Sequence, residues 1–163
     1  FKLNTDGSSM GRDKKVVAGG ILRDHQGSMI MAFSVSMIFC SNNMAETQTA
    51  NFGLQWYIDY NIKNFNLEMD SKILVDMIKG INKPSWKLHH WIAKIQEKQK
   101  FFKADVIHCY REANMVADSL AKFGAIEDAS RIFSQINELP RHVKGAFILD
   151  KIGMPNFRIR SQK

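Results

Sequence analysis

The chain has 163 residues, enough for one domain with a sizeable core, and a composition (45% hydrophobic, 24% charged) typical of a globular protein. No apolar run approaches the roughly 20 residues that span a bilayer; the longest, Ser28 to Cys40, is broken by serines and reads as a strand. Lysine and arginine exceed aspartate and glutamate by 23 to 16, and the net charge of +7 favours an anionic partner, nucleic acid foremost.

Phe1, Leu3 and Thr5 alternate with Lys2 and Asn4 as a half-buried strand does, and Asp6-Gly7 is expected to end it. Val16 to Arg23 follows as a second strand, and Asp24-His25-Gln26-Gly27 reads as a hairpin turn into a third, Ser28 to Met37. Short connections make these three an antiparallel meander. Ser41-Asn42-Asn43 suits a helix N-terminus, and the helix from Met44 to Tyr60 sets Ala50, Gly53 and Leu54 on the side of Glu46. Small residues there let the helix approach a sheet closely.

Phe65, Leu67 and Met69 alternate as a fourth strand ending at Asp70. A short helix from Ser71 stops at Gly80, and a longer one follows Pro84 with Trp86, Trp91, Ile92 and Ile95. Val106 to Cys109 is a fifth strand, and Met115 to Phe123 a helix closed by Gly124. The order β-β-β-α-β-α-α-β-α gives an α/β domain, a mixed five-stranded sheet with helices packed on it. We place the domain at residues 1–125. Residues 126–163 read as an appendage, with a helix over Ile126–Leu139 broken by Pro140 and a basic end, Arg158, Arg160 and Lys163.

Cys40 and Cys109 lack a CxxC spacing, which argues against zinc; they read as small buried hydrophobes in a reducing, intracellular setting. The chain opens on Phe1 with no signal peptide, and we expect an excerpt from a longer polypeptide.

Of 16 carboxylates, four stand out by context. Asp6 and Asp70 end apolar strands, Glu46 lies on the sheet-facing side of a helix, and Asp118 borders the stripe Ala117, Leu120 and Ala121. Acids near packed faces are costly unless compensated, and a pair of Mg²⁺ ions is the natural compensation for four that converge.

Five blocks then stand in the order of the ribonuclease H family: Leu3-Asn4-Thr5-Asp6-Gly7-Ser8, Gly19-Gly20-Ile21-Leu22-Arg23-Asp24, Ala45-Glu46, Met69-Asp70-Ser71 and Arg111 to Lys122. The set resembles the type 1 domains of plants, alone or at the end of retroelement reverse transcriptases, from Leu3 to Gly124. The resemblance implies a ribonuclease H-like fold and a catalytic, metal-binding set of Asp6, Glu46, Asp70 and Asp118. It implies Mg²⁺ or Mn²⁺ in a two-ion site, and endonucleolytic hydrolysis of the RNA strand of an RNA–DNA hybrid to a 3′-hydroxyl and a 5′-phosphate. Asn42 and Asn43 fall where the family reads the minor groove, where an amide can bond a 2′-hydroxyl; the alternative is that they only cap the helix. Ser8, Ser71, Arg111 and Asn114 belong to the same expected nucleic-acid surface.

The sequence also departs from the family. Arg12-Asp13-Lys14-Lys15 replaces a frequent Gly-Pro turn, and no His-containing mobile loop is present, because Arg111-Glu112-Ala113-Asn114 occupies that region. His108 lies in an apolar strand and reads as structural, and His89-His90 as helix surface. Trp56, Trp86 and Trp91 are expected in the core. Lys94, Lys98, Lys100 and Lys103 read as a solvated face, with a basic handle for the DNA strand as the alternative. Gly19-Gly20 permits close approach within a strand and has no phosphate-cradling pattern.

Two functions compete: an active hybrid-specific ribonuclease, and a catalytically weak or inactive nucleic-acid-binding remnant of a retroelement. A proofreading exonuclease would need an acid at position 8, which is serine, and a transposase or integrase would end its triad in glutamate. The expected partner is an RNA–DNA hybrid rather than a membrane, bound by a monomer.

Overall fold

The computed structural model describes residues 1–10, 15–37, 41–127 and 130–154. Strands β1 (Lys2–Met10), β2 (Lys15–Arg23) and β3 (Met29–Met37) form the antiparallel meander. At the β2–β3 turn the Asp24 carboxylate accepts the N–H groups of Gln26 and Ser28, both at 2.8 Å, and Gly27 takes a φ of +74°. Those N–H groups hold the exposed Asp24 carboxyl below its ordinary value. Strands β4 (Asn66–Met69) and β5 (Asp105–His108) add on parallel to β1.

The first strand runs past the expected stop. Gly7 continues β1 opposite Ala18, because it marks a contact rather than a turn. A Cβ there would lie 2.7 Å from the Glu46 nitrogen, so the missing side chain makes room for helix α1 (Asn42–Asp59). Gly19 does the same on the opposite face, where a Cβ would collide with the Ala117 carbonyl and Ala121 nitrogen of α4 (Met115–Glu127). Gly124 is likewise a packing glycine, set against Ser34 and Val17, and α4 runs through it instead of closing on it.

Each sheet face carries a core. On one, Leu3, Leu22, Phe33 and Leu67 pack under α1, α2 (Lys72–Ile78) and α3 (Trp86–Phe102). On the other, Ile21 and Ala32 pack under α4 with Val116, Leu120 and Phe123.

The sheet has six strands, in the order β5-β4-β1-β2-β3-β6, where five are expected. The sixth comes from the segment read as a helix. Strand β6 (Arg131–Phe133) pairs antiparallel with β3, because this edge offers free backbone groups and an apolar slot for Phe133. Pro140 does not break a helix; it is the N-cap of α5 (Arg141–Lys151), where its fixed φ is compatible with helix entry. Val143 and Phe147 of α5 enter the second core, and the buried Arg23 guanidinium pairs with Asp150 and lies 5.4 Å from the Phe147 ring centre. The first loop at Arg12, Cys40 and the basic end at Arg158 lie outside the described residues. Among the described residues no helix is long and apolar enough to cross a membrane.

Candidate active site

The two contact glycines decide where the acids meet. Asp6 pairs in register with Gly19, so its side chain emerges on the α4 face where α4 lies closest. Gly7 brings the first turns of α1 against the same stretch of β1, which places Glu46 beside it. Asp70 follows β4, the parallel neighbour of β1. One carboxylate oxygen from each of Asp6, Glu46 and Asp70 lies within 4.8 Å of the other two.

Asp118 stands in the first turn of α4, close enough to raise the proton affinity of Asp6 and Asp70, but it lies outside the group of three. Its Oδ2 instead accepts from Lys122 Nζ at 2.5 Å, one helical turn on.

Electrostatics mark the site as under-compensated. Burial, then repulsion from Asp70 and Asp118, pushes Asp6 up to about 7. Burial, then Asp70 and Asp6, pushes Glu46 up to about 8, against the lowering effect of the Ser71 hydroxyl and Arg111. Asp70 is also raised by burial, despite Arg111 Nε at 3.2 Å from its Oδ2. Glu46 Oε2 is buried with no hydrogen-bond partner. A buried, partnerless oxygen beside two other acids calls for a cation, and hard oxygen donors suit a divalent one.

The remaining expected residues separate. Asn42 and Asn43 are exposed in the first turn of α1, and Ser41 is the cap, its hydroxyl accepting from the Met44 N–H at 3.4 Å. Ser71 is the half-buried N-cap residue of α2, and Arg111 is exposed. The side chain of Ser8 lies outside the described residues. Asn114, expected on the nucleic-acid surface, is buried. It is 2% exposed, donates to the Thr5 carbonyl at 2.9 Å and accepts from Asn4 at 3.3 Å. Its own carbonyl accepts from the Asp118 N–H at 3.1 Å, so it ties β1 to the turn that carries Asp118. The signal was its position four residues before Asp118, at the start of a helix.

Trp86 is also corrected: it begins α3 and is 82% exposed, while Trp56 and Trp91 are half-buried. His108 is half-buried at the end of β5, its ring edge-on to Tyr110. His89 and His90 are exposed. Cys109 is half-buried, and burial pushes its thiol up to about 12, which leaves it a poor nucleophile.

Comparison with solved structures defines the class. The ribonuclease H1 of the halophilic archaeon Halobacterium salinarum superposes with a TM-score of 0.72 at 23% identity, over 78% of this chain and 98% of that one. LC11 ribonuclease H1, isolated from compost and solved in complex with an RNA/DNA hybrid, gives 0.71 at 22% identity, over 78% and 97%. The fold is that of ribonuclease H. In sequence, residues 4–124 match the family described as reverse transcriptase-like. An Arabidopsis thaliana protein named for ribonuclease H is 34% identical over 123 residues, 75% of this chain. The chain spans 20% of that relative's length. The chain belongs to the ribonuclease H family, in its reverse transcriptase-like group.

Proposed function

We propose that the chain is a divalent-metal-dependent endonuclease that hydrolyses the RNA strand of RNA–DNA hybrids. The observation that carries this reading is the meeting of Asp6, Glu46 and Asp70 oxygens within 4.8 Å, with Glu46 Oε2 buried and unpartnered. The names of the relatives point the same way, and one fold neighbour is bound to an RNA/DNA hybrid.

Asp6, Glu46 and Asp70 would hold the first Mg²⁺ or Mn²⁺, with Asp118 completing a two-ion site. Such ions, when bound, supply an activated water and stabilise the leaving oxygen of a phosphodiester. A P–O bond to water forms as the P–O3′ bond breaks, which leaves a 3′-hydroxyl and a 5′-phosphate. Asp6 and Glu46 would give up their protons on holding the ion. Arg111, exposed and paired with Asp70 at 3.2 Å, would meet a backbone phosphate if Asp70 were engaged by a cation. Asn114 fixes the turn before Asp118 as a positioning residue. The exposed amides of Asn42 and Asn43 are free of the capping role and address the 2′-hydroxyls of the RNA strand, and Ser8 and Ser71 belong to the same proposed nucleic-acid surface.

The contacts of Arg111 with Asp70 and Lys122 with Asp118 favour a second reading, a hybrid-binding domain with little turnover. Incubation of the chain with end-labelled hybrid, duplex DNA and single-stranded RNA in Mg²⁺ separates the two. RNA fragments with 5′-phosphates from the hybrid alone support the enzyme, and hybrid binding without fragments supports the second reading. Alanine at both Asn42 and Asn43 is expected to weaken hybrid binding more than duplex DNA binding, with little change in stability. Ser41→Ala is expected to cost ~1 kcal/mol by loss of the cap. Unchanged hybrid selectivity in the Asn42/Asn43 variant would remove the 2′-hydroxyl assignment.

A further inference from the structure

Helix α2 leaves the acid cluster directly after Asp70 and ends at Ile78, one rigid rod about 10 Å long. Helix α3 ends at Phe102, just before the start of β5. Between the two C-termini lies a cleft of about 500 Å³, at the end of the parallel strands opposite Asp70. Lys79, Lys100 and Lys103 line it with Gln96, Gln99 and Ile78, and no acid does.

Lysines at helix C-termini commonly serve the last carbonyls and the helix dipole. Here those carbonyls have other partners. Gln96 Nε2 donates to the Ile78 carbonyl at 2.9 Å, and the Gly80 N–H serves Met77 at 3.1 Å. The Ala104 N–H serves Gln99 at 3.0 Å. Among the described residues no ion pair engages any of the three lysines, and the nearby Asp76 is held by Lys72. Three lysines at or near the ends of two helices thus line one recess beside Gln96 and Gln99, and no acid lines it.

We propose that this cleft is a phosphate-binding site, separate from the acid cluster, that takes two or more linked phosphate groups. Ammonium groups on flexible stems suit successive phosphates, each a point charge, better than a flat carboxylate, which favours a planar guanidinium. The linked phosphates can belong to a free polyphosphate or to a single nucleic-acid strand, and the two sources share this chemistry.

The test uses the full ¹⁵N-labelled chain in metal-free buffer, titrated with inorganic tripolyphosphate and, separately, with a single-stranded oligodeoxynucleotide. The expected result is saturable movement of the amide signals of Lys79, Gln99, Lys100 and Lys103 by tripolyphosphate. Affinity should fall at least tenfold in a K79Q/K100Q/K103Q variant of unchanged melting temperature. Movement of the same signals by the oligonucleotide as well assigns the source to nucleic acid, and movement by tripolyphosphate alone assigns it to a free polyphosphate. A K87Q/K94Q control on the other half of α3 should bind tripolyphosphate like the native chain. No movement of these signals, equal binding by the triple variant, or an equal loss in the control would overturn the site.

Discussion

Asp6 and Glu46 carry their protons to unusually high pH because they are buried together. They titrate near 7 and 8, whereas in the unfolded chain both titrate near ~4. Between those limits the folded chain binds more protons than the unfolded one. Metal-free stability is therefore fully present near pH 4 and is lost as the pH rises through 7 and 8. Asp6→Asn removes one of the charges. In chelator at pH 8 it should be more stable than the native chain by about 1–3 kcal/mol, and at pH 4 nearly equal to it. Urea midpoints at the two pH values check this, and a loss of stability at pH 8 would contradict the repulsion.

The elements are held in place by what two residues lack. At Gly19 a Cβ would meet backbone atoms of α4, which cannot swing aside. Gly19→Ala should cost about 1–3 kcal/mol and lower cleavage by moving Asp118. Gly145, inside α5, has nothing within 4 Å of a Cβ, so Gly145→Ala should stabilise by about 0.5–1 kcal/mol. If the packing argument holds, thermal melts of the two variants shift in opposite directions and cleavage falls only in Gly19→Ala. Asp6, Asp70 and Glu46 were legible in the sequence because apolar alternation and helical spacing point at them, although Asp6 lies inside β1 rather than at its end. Gly7 was not, since a glycine after a strand reads as a turn until the helix it admits is seen. Nor was β6: three residues, Arg131 to Phe133, carry no periodicity of their own and become a strand only against β3. Asn114 shows the same limit, because its neighbours Thr5 and Asn4 are more than 100 residues away.

At the scale of the molecule, the matched region ends at residue 124, yet the segment after it shares the sheet and closes the second core. We propose that residues 1–125 hold the chemistry and that the segment from 126 buttresses α4. A chain ending at Ala125 loses the cover that Phe133, Leu139, Val143 and Phe147 give to Ile21, Ala32, Leu120 and Phe123. At about 1.5–3 kcal/mol per large apolar side chain fully buried, it should melt well below the native chain. It should still cleave at low temperature; a soluble, folded truncation without cleavage would place the segment in the active site.

Cleavage itself requires the acids to act as ligands. The most direct measurement is the rate of RNA-strand cleavage in a hybrid as Mg²⁺ is titrated, for the native chain and for Asp70→Asn, each verified as folded by circular dichroism. The expected result is cleavage by the native chain that rises with Mg²⁺ and vanishes in chelator, and a loss of at least a hundredfold in Asp70→Asn. Cleavage by the native chain in chelator, or near-native rates in folded Asp70→Asn, would contradict the account.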